Sequence, residues 1–266
     1  MLHDVRGIKY NIVEEGTGHP VIFLHGLGGS WRDWAPQLDT LSDRYRCVVV
    51  EHRGHGRTER TDGAYSIELF AEDVVAALGG LGIDHAYVVG LSMGGIIAQV
   101  LALECPELVD AVVLANTIAR SDPARAGMVS PAIEAIRTDG VGAMIGMMDT
   151  AAWSETTRLT RPEVVRDFQR EAANNDPESF AKSLRAVARA DYTERLGGLK
   201  APAMVIWGEH DGLVSREATD ELVRALGSPE LVIIPDTAHI TNVEDTAAFN
   251  EALCRHFDTN PCHRTL

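Results

Sequence analysis

Apolar positions fall along this chain in two alternating textures. Short continuous runs, VIFLHG (21–26), CVVVEHRG (47–54), AYVVGLS (86–92), AVVLANT (111–117), PAMVIWGEHD (202–211) and ELVIIPDTAH (230–239), carry the signature of strands buried on both faces of a parallel sheet. Between them, Trp34 to Leu41, Ser66 to Leu81, Met93 to Glu104, Arg216 to Leu226 and Thr246 to Phe257 read as amphipathic helices. In the second of these, Ile67, Phe70, Val74, Ala77, Leu78 and Leu81 recur at three- and four-residue spacing and share one face. The opening MLHDVRGIKYNIVEEG alternates like a strand. Strand, helix and strand in repetition predict an α/β fold with a doubly wound, mostly parallel sheet, whose ligands sit at the carboxyl ends of the strands.

One segment breaks the rhythm. From Ala119 to Ala190 there is no strand pattern, only helix-like pieces rich in Met, Ala and Arg, punctuated by Pro123, Pro131, Pro162 and Pro177. An insertion after a strand end sits above the sheet, so this stretch is expected to form a lid. The chain thus divides into a core of residues 1–118 and 191–258, a helical lid of residues 119–190 and a C-terminal tail of residues 259–266.

Charge narrows the partners. The 266 residues carry 24 basic and 39 acidic side chains, a net charge of −15, which repels phosphate backbones and excludes nucleic acid as a partner. The segment 119–190 holds 10 of each sign, so the excess negative charge lies outside it and the lid is the less repulsive face toward an anion. Cys47, Cys105, Cys254 and Cys262 show no metal-type CxxC spacing and read as reduced thiols. With neither a secretory signal nor an apolar run of roughly 20 residues, the chain reads as a soluble, cytoplasmic protein without a membrane partner, either monomer or homodimer.

The chemistry concentrates at strand ends. Gly90-Leu91-Ser92-Met93-Gly94 fits G-x-S-x-G, a tight strand-to-helix turn that exposes a strained serine between residues without bulk. The N–H of Met93, at the helix start, points to where negative charge builds on an attacked carbonyl. A second such amide belongs to Leu27 in His25-Gly26-Leu27-Gly28-Gly29, with His25 bracing that loop. Serine, acid and base follow in that order along such chains. Asp211 closes one late run and His239 closes the next, so His239 would take the Ser92 proton while Asp211 holds the imidazole. Glu209 and His210 are the neighbours competing for those roles. His25, His52 and His55 follow no zinc spacing and read as a hydrogen-bonded loop, and His3, His19, His85, His256 and His263 read as solvated.

Taken together, FLHGLGG, HRGHGRT, VVGLSMGGIIAQ, VLANT, VIWGEHDGLV and DTAHITNVEDTAAF resemble the α/β-hydrolase superfamily over nearly the whole chain. GLSMGG, VLANTIAR and AHITNVEDTAAF are most similar to the β-ketoadipate enol-lactonase and carboxylesterase branch, whose members hydrolyse a small lactone carrying carboxylates. The resemblance implies a sheet of about eight strands with the lid inserted after strand six. Three places depart from that branch. The loop reads HGLGG rather than Ser-Asn-Ser-Leu-Gly, Glu51 stands where many relatives have Asp, and GMMDTAAWSE lacks the expected Arg-Trp-Phe pattern.

The expectation is therefore a serine hydrolase of a small carboxylic ester or lactone, working through an acyl-enzyme with no metal or organic cofactor. Arg120 at the lid hinge is placed to meet a substrate carboxylate, and Trp153 and Met144 are candidate substrate contacts. Two alternatives share the scaffold, hydrolysis of carbon–carbon bonds in ring-cleavage products and perhydrolysis. A non-catalytic ligand receptor is a third, whose mark would be a lost triad member; Ser92, Asp211 and His239 are all present.

Overall fold

The computed structural model describes residues 1–122 and 126–262; Pro123, His263 and the rest of the tail beyond Cys262 lie outside the described residues. The strands are β1 (Leu2–Val5), β2 (Ile8–Glu15), β3 (Pro20–Leu24), β4 (Arg46–Val50), β5 (Ala86–Leu91), β6 (Val109–Ala115), β7 (Ala203–Gly208) and β8 (Glu230–Ile234). The helices are α1 (Ala35–Leu41), α2 (Ile67–Gly80), α3 (Met93–Glu104), α4 (Ala126–Asp139), α5 (Val141–Ala152), α6 (Glu155–Thr160), α7 (Pro162–Ala173), α8 (Pro177–Ala188), α9 (Arg216–Ala225), α10 (Thr241–Glu244) and α11 (Thr246–Thr259).

The eight strands form one sheet in the order β1-β2-β4-β3-β5-β6-β7-β8. Pairings β1/β2 and β2/β4 are antiparallel, and the others are parallel. Alternation along each strand sends side chains to two separate cores. Ile22, Leu24, Val48, Val88 and Val112 pack against α2 and α3. Val21, Phe23, Val49, Val89 and Val113 pack with Leu38 and Leu41 of α1 and with Phe249, Leu253 and Phe257 of α11. Both faces are thus covered, which is why these runs read as continuously apolar, each buried branched side chain contributing roughly 1.5–3 kcal/mol.

Two differences from the sequence reading have local causes. The N-terminal alternating stretch is a hairpin rather than one strand: Arg6 and Gly7 both take positive φ, 55° and 80°, the turn that matches the twist of paired strands. The run at 230–239 forms an edge strand, half-open to solvent, with Ile233 41% exposed.

Helices α4 to α8 all lie between β6 and β7. They hold a small core of their own, Ile136, Val141 and Phe180, with Met144 and Ile145 packed on it. Among the described residues no helix is long and apolar enough to cross a membrane.

Candidate active site

Strand β5 runs directly into α3 through Ser92, which holds φ 54° and ψ −118°, a conformation costly for a residue with a side chain. The turn is locked from both sides. Ser92 N–H donates to the Ala115 carbonyl at 2.9 Å, and Thr117 Oγ1 donates to the Ser92 carbonyl at 2.7 Å. Its tightness explains the flanking glycines. A Cβ at Gly94 would stand 2.0 Å from the Leu24 carbonyl oxygen, and one at Gly90 would stand 2.3 Å from that of Gly94. Helix and strand approach to backbone contact, and no side chain fits between them.

His239 lies past the end of β8, and Asp211 past the end of β7. His239 Nδ1 and Asp211 Oδ2 are 2.9 Å apart, both side chains buried. The carboxylate is held on every side. Oδ1 accepts from the backbone N–H groups of Leu213 and Val214, at 2.8 and 2.9 Å, and Oδ2 also accepts from Asn116 Nδ2 at 2.8 Å. The competing neighbours point away: Glu209 and His210 are exposed, with His210 Nε2 3.7 Å from Asp236.

The loop after β3 passes against the serine, where a Cβ on Gly26 would meet Ser92 Cβ at 3.3 Å. His25 braces it from beneath. Its Nε2 accepts the His52 N–H at 3.0 Å, which puts the proton on Nδ1, and Nδ1 donates to the Gly26 carbonyl at 2.8 Å. Glu51 extends the brace, accepting from the N–H groups of Trp31 at 3.1 Å and Arg57 at 2.7 Å. Burial drives the histidines of this cluster toward the neutral form, His52 down to about 3 and His55 to about 4, with His25 well below its usual range. Asp33, under the same loop, is pushed up to about 7 by burial, against a backbone hydrogen bond from Ser30 and with help from Glu51.

A cavity of about 630 Å³ opens above the sheet. Ser92, His239, Leu27 and Met93 line it, together with Arg120 and Trp153. Trp153 is buried and packs edge-on against Phe168 at 5.3 Å. Arg120 already has a partner, donating from Nε to Glu221 at 2.7 Å. Met144 faces the small core beside Phe180 and is not among the residues that line the cavity.

Residues 19–246 match the family described as the alpha/beta hydrolase fold. The chain belongs to that family. The 3-oxoadipate enol-lactonase 2 of Acinetobacter baylyi (strain ATCC 33305 / BD413 / ADP1) is 30% identical over 246 residues, covering 92% of this chain and 91% of that protein. The enol-lactonase of Burkholderia xenovorans LB400 superposes with a TM-score of 0.91 at 28% identity, over 97% of this chain and 100% of its own. A thermophilic esterase of Thermogutta terrifontis, solved with malate bound, gives 0.91 at 27% identity over 96% and 95%.

In this α/β hydrolase, two parts of the site escaped the sequence reading. The first is Asn116, at φ 46°, whose Nδ2 donates to Asp211 and to the Ala238 carbonyl while its Oδ1 accepts from Thr241 Oγ1 at 2.7 Å. The available signal was an asparagine, a residue that tolerates positive φ, directly after an apolar run. The second is a seam between the helical insertion and the loops that carry Asp211 and His239. Gly212 N–H donates to the Ala151 carbonyl at 2.9 Å, and His239 N–H donates to that of Ala152 at 3.0 Å. Glu244 closes the seam, accepting from the N–H groups of Ala238 at 2.7 Å and Ser154 at 2.9 Å.

Proposed function

We propose that this α/β hydrolase cleaves a small carboxylic ester or lactone with Ser92 as nucleophile. The observation that carries the reading is the pairing of a strained serine with His239 in one cavity, the imidazole being held through Nδ1 by the buried, multiply hydrogen-bonded Asp211. Holding Nδ1–H on Asp211 leaves Nε2 as the acceptor toward the cavity.

In this mechanism Ser92 Oγ attacks the substrate carbonyl while His239 Nε2 takes its proton. The N–H groups of Leu27 and Met93 receive the developing oxyanion, aided by the amino end of α3. Collapse of the tetrahedral intermediate expels the alkoxide, which takes the proton from His239. In a lactone that alcohol stays tethered to the acyl group. Water, deprotonated by His239, then attacks the acyl-enzyme, and the acid and free Ser92 are released.

The enol-lactonase relatives support a lactone carrying a carboxylate as the substrate class, with Arg120 at the cavity wall as its partner and Trp153 as an apolar wall. A fluorophosphonate probe tests the mechanism, because it should add to Ser92 alone, and Ser92→Ala should abolish both labelling and turnover of lactones and short aryl esters. Labelling elsewhere, or hydrolysis surviving in Ser92→Ala, would overturn it.

A further inference from the structure

The amino ends of the parallel strands, on the edge of the sheet opposite Ser92, gather a second set of reactive side chains. His19 immediately precedes β3, His85 immediately precedes β5, Asp110 is the second residue of β6, and Cys262 follows α11. None of these histidines is solvated as the sequence suggested: His85 is buried and His19 half-buried, and His256 nearby in α11 is buried as well. Asp110 Oδ2 lies 2.7 Å from His85 Nδ1 and 3.0 Å from His19 Nε2, and Cys262 Sγ lies 3.4 Å from His85 Nδ1. One donor atom from each of the four residues falls within 4.8 Å of all the others.

We propose that His19, His85, Asp110 and Cys262 bind one zinc ion as a closed, structural four-ligand site. Three features of the cluster support the assignment. The first is spacing: zinc bonds of about 2.0 Å to nitrogen and oxygen and about 2.3 Å to sulfur separate tetrahedral ligand atoms by roughly 3.3 to 3.6 Å, so the three short contacts open by at most about 0.6 Å, and all four donor atoms already lie within 4.8 Å of one another. The second is charge. Two neutral imidazoles, one carboxylate and one thiolate cancel the two positive charges of the ion, so a half-buried site is left neutral.

The third feature is a built outer shell. Tyr87 OH accepts the Cys262 N–H at 3.1 Å and donates to the Asn260 carbonyl at 3.2 Å, which fixes the residue carrying the thiol. The Tyr87 ring stacks on Phe257 at 4.2 Å and meets His19 edge-on at 4.5 Å, so the same side chain positions two ligands. Zinc binding would displace the Cys262 thiol proton to solvent and form a sulfur–zinc bond, tying the segment after α11 to the sheet. Four protein ligands leave no open coordination position, so the ion would stabilise the fold without entering hydrolysis.

Cobalt substitution tests the site directly. Metal-free full-length protein titrated with Co²⁺ should develop, at one equivalent, the intense visible bands of tetrahedral cobalt together with a near-ultraviolet thiolate-to-cobalt charge-transfer band, both erased by Zn²⁺. Cys262→Ser should lose the charge-transfer band and His85→Asn the tetrahedral visible bands, while ester hydrolysis by the unsubstituted protein stays the same with or without zinc. Zinc should raise the thermal midpoint of the unsubstituted protein and leave that of Cys262→Ser unmoved. A weak octahedral spectrum would overturn the proposal, because it fits the exposed Glu209, His210 and Asp236 group, which lacks sulfur. A charge-transfer band that survives in Cys262→Ser would equally overturn it by placing the metal on another thiol.

Discussion

Asn116 Nδ2 donates at 2.8 Å to the same Asp211 oxygen that faces His239 Nδ1. The amide therefore sets the direction from which the carboxylate presents itself to the imidazole. Removing it in Asn116→Ala takes away a hydrogen bond to a charged group worth about 1.5–3 kcal/mol, equivalent to a roughly ten- to hundredfold fall in rate. The fall should appear in kcat with KM little changed, because Asn116 is not among the residues that line the cavity. Steady-state kinetics on an aryl ester measure the split.

Gly94 is expected to tolerate no side chain. Its Cβ position lies 2.0 Å from a backbone oxygen of β3, which cannot swing aside as a flexible side chain would. Gly94→Ala should lower the denaturation midpoint by an amount corresponding to about 1–3 kcal/mol of overpacking. Because the shift separates Ser92 from the Gly26 loop, residual activity should drop even where the variant is fully folded, as shown by circular dichroism beside the assay.

Acid should unfold the protein steeply. His25, His52 and His55 resist protonation when folded but protonate freely near 6.5 when unfolded, so the unfolded chain binds more protons and stability falls as pH drops below that value. Three such groups remove about 4 kcal/mol per pH unit between roughly 6.5 and 4, a loss comparable over that window to the whole stability of a typical domain. His55→Gln should reduce the slope by about 1.4 kcal/mol per pH unit, read from urea midpoints at stepped pH.

Asp33 acts in the opposite sense. Its folded value of about 7 lies above its ordinary 3.8, so between those values the folded chain binds the extra proton and stability declines as pH rises. The stability difference between Asp33→Asn and the unsubstituted protein should therefore widen in favour of the variant by up to about 4 kcal/mol from pH 4 to 7, then level off. A difference independent of pH would show that the carboxyl is ionised throughout.

The pair between Arg120 and Glu221 is partly exposed, and it occupies the guanidinium proposed to meet a substrate carboxylate. Glu221→Gln should release it and lower KM about two- to fivefold for lactones bearing a carboxylate, the range of an exposed ion pair, with neutral aryl esters unaffected. Equal changes for both substrates would remove Arg120 from substrate binding.

What the sequence made legible was set by distance along the chain. Gly90, Ser92 and Gly94 stand within five residues, so the motif is legible in sequence even though the Cβ position of Gly94 is closed by β3 and only that of Gly90 by the turn itself. The layered sheet is legible for a similar reason, since strands buried on both faces must read as unbroken apolar runs. Asn116 and Asp211 lie 95 residues apart, and their bond exists only because β6 and β7 are adjacent. His19, His85, Asp110 and Cys262 come from four separate segments, so no ligand spacing betrays them. Met144 and Met148 differ by one turn of α5, and only the packing of that helix decides that Met148 alone lines the cavity.

The hydrogen bonds from Gly212 and His239 to Ala151 and Ala152 also bear on how such an enzyme changes over generations. The final turn of α5 lines the cavity and at the same time holds the loops of Asp211 and His239, so a substitution there should alter substrate fit and the proposed proton transfer together. Val129 on α4 lines the same cavity and makes none of the hydrogen bonds of that seam. On the proposed mechanism, new substrate preferences should therefore accumulate on α4 at little catalytic cost, whereas substitutions at residues 151–154 should disturb the chemistry as well.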